Sequence, residues 1–131
     1  MEKFQLDVRA LILKTDEVLF LMSSKDSVWD LPGGLLNKSE LPDDAITREI
    51  KAQTALGVEN LALVSDTIYE RDGTPTLALF YLVDFKEGSV DLSDEHIKYA
   101  WIKLSEVKNQ KLPDWIHEHL IELLKKYNTP Q

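Results

Sequence analysis

A glycine pair and the charged residues that follow it are the part of this chain best suited to chemistry. Gly33 and Gly34 follow a short extended segment, and Glu40, Arg48 and Glu49 lie where the composition turns helical. Because glycine has no Cβ, a ligand can approach the backbone closely at such a turn. A strand, a glycine turn and a helix that projects a carboxylate back toward the turn could hold a divalent cation and a diphosphate.

The helix face that carries Glu49 is poor in further acids. The positions three and four residues later share that face, and they are Ala52 and Gln53. A single carboxylate is therefore expected to project from this stretch of helix toward the glycines.

The segment resembles the Nudix box of the Nudix hydrolase family, whose pattern is G-x5-E-x7-R-E-U-x-E-E-x-G-U, where U is a bulky aliphatic residue. The lead-in Trp-Asp-Leu-Pro-Gly-Gly matches the family as well. The resemblance implies an α/β (mixed α+β) fold, a Nudix-like α/β/α sandwich with a mixed β-sheet between helices. It also implies a hydrolase that cleaves a diphosphate linkage in a nucleoside diphosphate derivative. The box positions in register are Gly34, Glu40, Arg48, Glu49 and Ile50.

The resemblance further implies Mg²⁺ or Mn²⁺ as cofactor, but two of the family's metal-binding glutamates are replaced here. Ala52 has no ligand atom, and the neutral oxygen of Gln53 is a poorer ligand for a hard cation than a carboxylate. Glu95 lies in a polar loop like the one from which many family members supply a glutamate as metal ligand or general base. We therefore expect the ion to bind weakly, or only together with the substrate. The expected metal ligands are Glu49, the Gly34 carbonyl, Gln53 and Glu95.

Other charged residues allow two interpretations each. Arg48 could brace the helix by pairing with an acid such as Glu40 or Asp44. Arg71, on a predicted hairpin, could hold a phosphate or be a solvated turn residue, and His96 could contribute acid–base chemistry or be a solvated loop residue. We predict as catalytic residues Glu49, Glu95 and Arg48, and as substrate-binding residues Gly33, Gly34, Glu40 and Arg71.

Two further functional classes remain open from the sequence. The replacements at Ala52 and Gln53 are also compatible with a catalytically silent module that binds or senses a nucleotide. A third possibility is a dimeric interaction domain in which the box is a relic.

Composition limits the partners and the cell compartment. The 131 residues carry a formal charge of -8, which disfavours binding to nucleic-acid polymers or anionic membranes, since both require a basic surface. The chain has no cysteine, which excludes disulfides and zinc–thiolate sites. The first residues show no basic stretch followed by an apolar one, so we expect no secretory signal, and no apolar run approaches the roughly 20 residues needed to span a bilayer. We expect a cytoplasmic single domain over residues 1–131 that binds a small nucleotide or nucleoside diphosphate derivative, and the sequence leaves a homodimer open.

The elements that must position these residues follow from periodicity and turn signals. Alternation from Phe4 to Ile12 predicts a strand with one buried face, and Ser39 is a plausible N-cap for a helix that contains Pro42 in its first turn. Asp72-Gly73 predicts a hairpin turn. The order of strands, helix, strands and helix favours a mixed sheet with helices on both sides. The further predicted elements are strands Val18–Met22 and Tyr99–Ile102, a helix from Ser39 or Leu41 to Leu56, hairpin strands Leu61–Glu70 and Thr76–Phe85, an apolar central strand Leu77–Val83, and a final helix opened by Pro113 with the stripe Trp115, Ile116, Leu120, Leu123 and Leu124.

Overall fold

The computed structural model describes residues 3–127. Within this range the chain forms one mixed β-sheet and two α-helices. The elements are β1 Gln5–Lys14, β2 Glu17–Ser23, β3 Trp29–Asp30, β4 Gly33–Leu35, α1 Pro42–Thr54, β5 Gly57–Arg71, β6 Thr74–Glu87, β7 His96–Lys103, a 3-10 helix Leu104–Asn109, and α2 Asp114–Tyr127.

The sheet combines parallel and antiparallel pairs. Its main order is β3-β2-β1-β6-β5, with β4 also paired to β1 and β7 paired to β2. The central pair, β1 and β6, is parallel, whereas β5 and β6 form an antiparallel hairpin. The mixed sheet expected from the element order is therefore confirmed.

The two helices cover opposite faces of the sheet. Ala45, Ile46 and Ile50 of α1 pack in one apolar cluster, and the buried side chains of α2 pack in a second one. Adjacent residues of β1, Ala10 and Leu11, belong to different clusters, as expected when successive side chains of a strand point to opposite faces. This arrangement confirms the α/β/α sandwich.

The predicted one-sided burial of β1 is wrong. Val8 and Ala10 are buried on the α1 face, but Leu11 on the opposite face is only 1% exposed, and Phe4, just before the strand, is 57% exposed. The strand lies in the middle of the sheet with a helix layer on each side, so both of its faces are covered.

The local structure around the glycines also differs from the prediction. Gly33 and Gly34 do not form a turn, because they pair with Arg9 and Val8 across β4 and β1. Ser39 is not the N-cap of α1, because its φ is +66° and the helix begins only at Pro42. Leu41 occupies the N-cap position and makes no side-chain capping bond.

The second half of the chain follows the prediction more closely. The Asp72-Gly73 turn has φ values of +49° and +80°, as a tight hairpin turn requires, and the strands on both sides extend further than expected. Strand β6 is covered on both faces through Phe80 and Tyr81, and α2 buries Ile116 and Leu120. None of the helices in the described part of the chain is long and apolar enough to cross a membrane.

Candidate active site

The glycine pair allows three chain segments to meet closely. A Cβ atom on Gly33 would lie 1.9 Å from the carbonyl oxygen of Val8, and the φ of Gly33 is +153°. A Cβ atom on Gly34 would lie 2.9 Å from Oε2 of Glu49. The two glycines therefore allow β4 to lie against β1 on one side and against a carboxylate of α1 on the other.

Both carboxylate oxygens of Glu49 accept hydrogen bonds from neighbouring side chains. Arg48 donates from Nη1 to Oε1, and Gln53 donates from Nε2 to Oε2. The Glu49 side chain is 15% exposed. The glutamate is therefore held at the surface of the site by residues of its own helix.

Gln53 connects α1 to the glycine strand. Its Oε1 accepts the Gly33 N–H at 3.2 Å, and its Nε2 donates to the Gly33 carbonyl at 2.8 Å. The residue is 6% exposed. Its amide thus pairs with Gly33 much as a neighbouring strand would.

Arg48 and Glu40 form the pair expected from the sequence. Arg48 donates to both oxygens of Glu40, from Nε at 2.8 Å and from Nη2 at 2.9 Å. These bonds, together with one from the Asn37 N–H, lower the pKa of Glu40 to about 2. This pair fixes the chain before α1 to the helix.

A cavity of about 530 Å³ lies beside the glycine strand. Of the residues predicted to form the site, Gly33, Gly34, Glu49, Gln53, Arg71 and Glu95 line this cavity. Glu40 and Arg48 do not line it. Arg48 is bonded to Glu49 in the cavity wall, and Glu40 is bonded to Arg48. The fold also adds residues that the prediction did not assign: Arg9, Lys25, Asp30 and Asp94, together with His96, which it left open.

Glu95 reaches the cavity through the pairing of β7 with β2. Its backbone carbonyl accepts the Ser24 N–H at 3.0 Å, which joins the loop before β7 to the end of β2. Its exposed carboxylate makes no hydrogen bond or ion pair with another residue between 3 and 127. The neighbouring His96 has a lowered pKa because of burial, an effect that the charge of Glu95 opposes.

A charged cluster in the wall of the cavity, built around the buried residues Arg9 and Asp7, was not predicted. Arg9 donates to Asp7 at 2.9 Å and to the Leu31 carbonyl at 3.3 Å, and its Nη1 lies 3.0 Å from Oδ1 of Asp30. The Tyr69 hydroxyl also donates to Asp7. Burial raises the pKa of Asp30, and the Arg9 charge opposes that rise. The available signal was the occurrence of an acid and a base two residues apart in an otherwise apolar strand.

A divalent cation held by protein alone requires several oxygen or nitrogen donors close together. Among residues 3–127, no group of three or more His, Asp or Glu side chains lies close enough together to hold a metal ion. The Gly33 carbonyl, one residue before the predicted Gly34 ligand, already accepts a hydrogen bond from Gln53. The folded residues therefore do not fit a resident metal ion.

Comparison with known proteins agrees with this architecture. A family model of the NUDIX domain matches residues 3–124, and the chain belongs to the Nudix family. A MutT-like protein from Streptomyces ambofaciens is 25% identical over 104 residues, which cover 79% of this chain and 66% of that protein. The chain therefore spans about two thirds of the length of this relative.

Solved structures show the same fold. The MutT protein from Methanosarcina mazei Go1 superimposes with a TM-score of 0.84 at 25% identity, over 98% of each chain. An ADP-ribose pyrophosphatase from Streptococcus suis 89-1591 superimposes with a TM-score of 0.76 at 22% identity, over 97% of this chain and 94% of that one. Hydrolases of this family generally use divalent metal ions.

Proposed function

We propose that this chain hydrolyses a diphosphate linkage in a nucleoside diphosphate derivative, acting as a cytoplasmic single-domain protein over residues 1–131. The observation that carries the proposal is that acids and bases from distant segments line one cavity. Glu49 comes from α1, Glu95 from the loop before β7, and Arg71 from the end of β5. Carboxylates and cations around one cavity are the groups needed to activate water and to bind phosphate.

Glu95 is the proposed general base. Both oxygens of Glu49 already accept hydrogen bonds from Arg48 and Gln53, whereas the Glu95 carboxylate has no such partner among residues 3–127. In the proposed step, a water oxygen bonds to phosphorus, the bond from phosphorus to the bridging oxygen breaks, and one water proton passes to Glu95. The bridging oxygen and its electron pair leave with the second phosphate.

The other site residues bind or position. Arg71 and Lys25 supply positive charge to the cavity and are proposed to contact the substrate phosphates. Gly33 and Gly34 let β4 lie close to β1 and to Glu49 in the cavity wall, because a side chain on either would meet a neighbouring atom. Arg48, supported by Glu40, positions Glu49.

We further propose that Mg²⁺ or Mn²⁺ enters with the substrate. Mg²⁺ commonly binds to one or two carboxylates together with substrate phosphates rather than in a cage made wholly of protein. The folded site contains no such cage among residues 3–127. We therefore expect the requirement for metal to depend on the phosphate compound that is present.

A panel of nucleoside diphosphate derivatives, including ADP-ribose, tests the proposal. Each compound is incubated with the protein and with either Mg²⁺ or Mn²⁺, and the release of nucleoside monophosphate is measured by chromatography. Turnover of at least one compound above the metal-only blank is the expected result. The absence of turnover for every compound would remove the proposal.

A catalytically silent nucleotide-binding module is the second candidate, and the bonds made by Gln53 favour it. Its amide holds the Gly33 carbonyl and Glu49 together without any ion. Calorimetry that detects nucleotide binding in EDTA, combined with no turnover in the panel, would support this candidate over hydrolysis. The homodimer stays a prediction, which light scattering can test.

A further inference from the structure

The side-chain nitrogen of Gln53 lies between two oxygen atoms of the site. Nε2 donates to the Gly33 carbonyl at 2.8 Å and to Oε2 of Glu49 at 2.5 Å. One of these acceptors is a backbone dipole and the other is a carboxylate. Oxygen atoms of these two kinds are also the ligands that a hard divalent cation prefers.

The orientation of this amide is fixed by its neighbours. The Gly33 N–H needs an acceptor, and within the amide only Oε1 can accept, while the two oxygens around Nε2 need a donor. Gln53 is 6% exposed, so its side chain belongs to the packed interface between α1 and β4 rather than to the solvent. Both N–H groups of the amide and one lone pair of its oxygen are thereby assigned.

The charges around Glu49 also favour a neutral amide, rather than a metal ion, beside its Oε2 in the free protein. Arg48 already binds the other oxygen of Glu49, so the carboxylate has a cationic partner. A glutamate at position 53 would place a second negative charge against Oε2 of Glu49, and like charges so close together repel each other. The glutamine avoids that repulsion and still joins helix to strand.

We infer that Gln53 is a built-in substitute for a divalent cation: its amide holds Glu49 against Gly33 in the free protein, and an ion binds there only by displacing it. The inference rests on the proposed function in one respect: it takes the cavity beside Gly33 and Glu49 as the active site. It concerns the protein without substrate, so its test does not require turnover.

The test compares wild type with Gln53→Glu in the absence of substrate. Thermal unfolding is followed in EDTA and in Mn²⁺, and Mn²⁺ binding is measured by calorimetry. We expect Gln53→Glu to melt at a lower temperature than wild type in EDTA, to regain stability in Mn²⁺, and to bind Mn²⁺ about tenfold more tightly or better, because a carboxylate is the stronger ligand. Gln110→Glu, which adds the same charge outside the cavity, is the matched control and should respond to Mn²⁺ as wild type does.

Two results would overturn the inference. One is stabilisation of wild type by Mn²⁺ to the same extent as Gln53→Glu. The other is a Gln53→Glu protein that is as stable as wild type in EDTA and gains nothing from Mn²⁺. If Gln53→Glu does not fold, Gln53→Ala replaces it: freeing the Gly33 carbonyl and Glu49 should strengthen Mn²⁺ binding relative to wild type, and unchanged or weaker binding would contradict the inference.

Discussion

Arg48 and Glu40, eight positions apart in sequence, are joined by two hydrogen bonds that bring both carboxylate oxygens of Glu40 under one guanidinium group. The same guanidinium also donates to Glu49. The pair therefore connects the loop before α1 to the carboxylate at the cavity wall, although neither of its members lines the cavity.

This pairing predicts a specific loss of stability in acid. The pKa of Glu40 is lowered from 4.5 to about 2 by the bonds from Arg48. A group whose pKa is lowered by folding stabilises the protein fully above its unfolded pKa and loses that effect as the pH falls toward the folded value. Between pH 4.5 and 2, the melting temperature of wild type should fall more steeply than that of Glu40→Gln.

Glu118→Gln is the control for the loss of one carboxylate, because Glu118 is an exposed residue of α2. It should keep the steep wild-type slope. Equal slopes for wild type and Glu40→Gln would show that the pair has no effect on stability.

Gly33 and Gly73 have different surroundings, so replacing them by alanine should lower the free energy of unfolding by different amounts. Gly33→Ala would place a Cβ 1.9 Å from the Val8 carbonyl oxygen, so β4 must move away from β1. Gly73→Ala meets no atom within 4 Å and suffers only from its φ of +80°. Denaturant unfolding should show a loss of about 3 kcal/mol or more for Gly33→Ala and about 1–2 kcal/mol for Gly73→Ala. Similar losses for both would contradict the close approach of β4 to β1.

The end of α1 predicts a stabilising substitution. Ala55, the C-cap residue, has a φ of +62°, a left-handed conformation that costs a residue with a Cβ about 1 kcal/mol relative to glycine. Ala55→Gly should therefore raise the free energy of unfolding by up to about 1 kcal/mol. Ala52→Gly, in the interior of the same helix and exposed, should lower it by about 1 kcal/mol. If both substitutions changed stability in the same direction, the assigned end of the helix would be wrong.

The buried pair of Arg9 and Asp7 should contribute far more to the free energy of unfolding than an exposed ion pair does. Asp7 is fully buried and Arg9 is 7% exposed, so Arg9→Met would leave a buried carboxylate without its cation. Removing one member of such a pair costs about 3–5 kcal/mol. Lys125→Met breaks the exposed contact with Glu122 and should cost less than about 1 kcal/mol. Denaturant unfolding of both variants measures the difference, and a small loss for Arg9→Met would show that Asp7 does not need this partner.

The parts of the fold that the sequence predicted correctly are those whose signals are local. Asp72-Gly73 specifies its own turn through two residues that tolerate positive φ, and α2 has a stripe that fits a single face. The box placed Glu40 and Arg48 in register, and their pairing needs only the loop and helix between them. Such features depend on a few neighbouring residues and not on the topology of the sheet.

The features that were missed depend on distant parts of the chain. Tyr69 and Asp7 are 62 positions apart in sequence, and they meet because their strands, β5 and β1, flank the same strand, β6. The burial of both faces of β1 follows from its place in the centre of the sheet, which alternation alone cannot reveal. Gln53 was interpreted only as a weak ligand, since its role as a donor requires the Gly33 carbonyl to be beside it.

The most direct test of the proposed chemistry is kcat for Glu95→Gln on the compound that wild type hydrolyses fastest. Loss of a general base should lower kcat by about 10²- to 10⁴-fold while the melting temperature stays at the wild-type value, because Glu95 is exposed. Asp91→Asn, on the same loop but outside the cavity, should retain wild-type kcat. Wild-type kcat in Glu95→Gln would contradict the account.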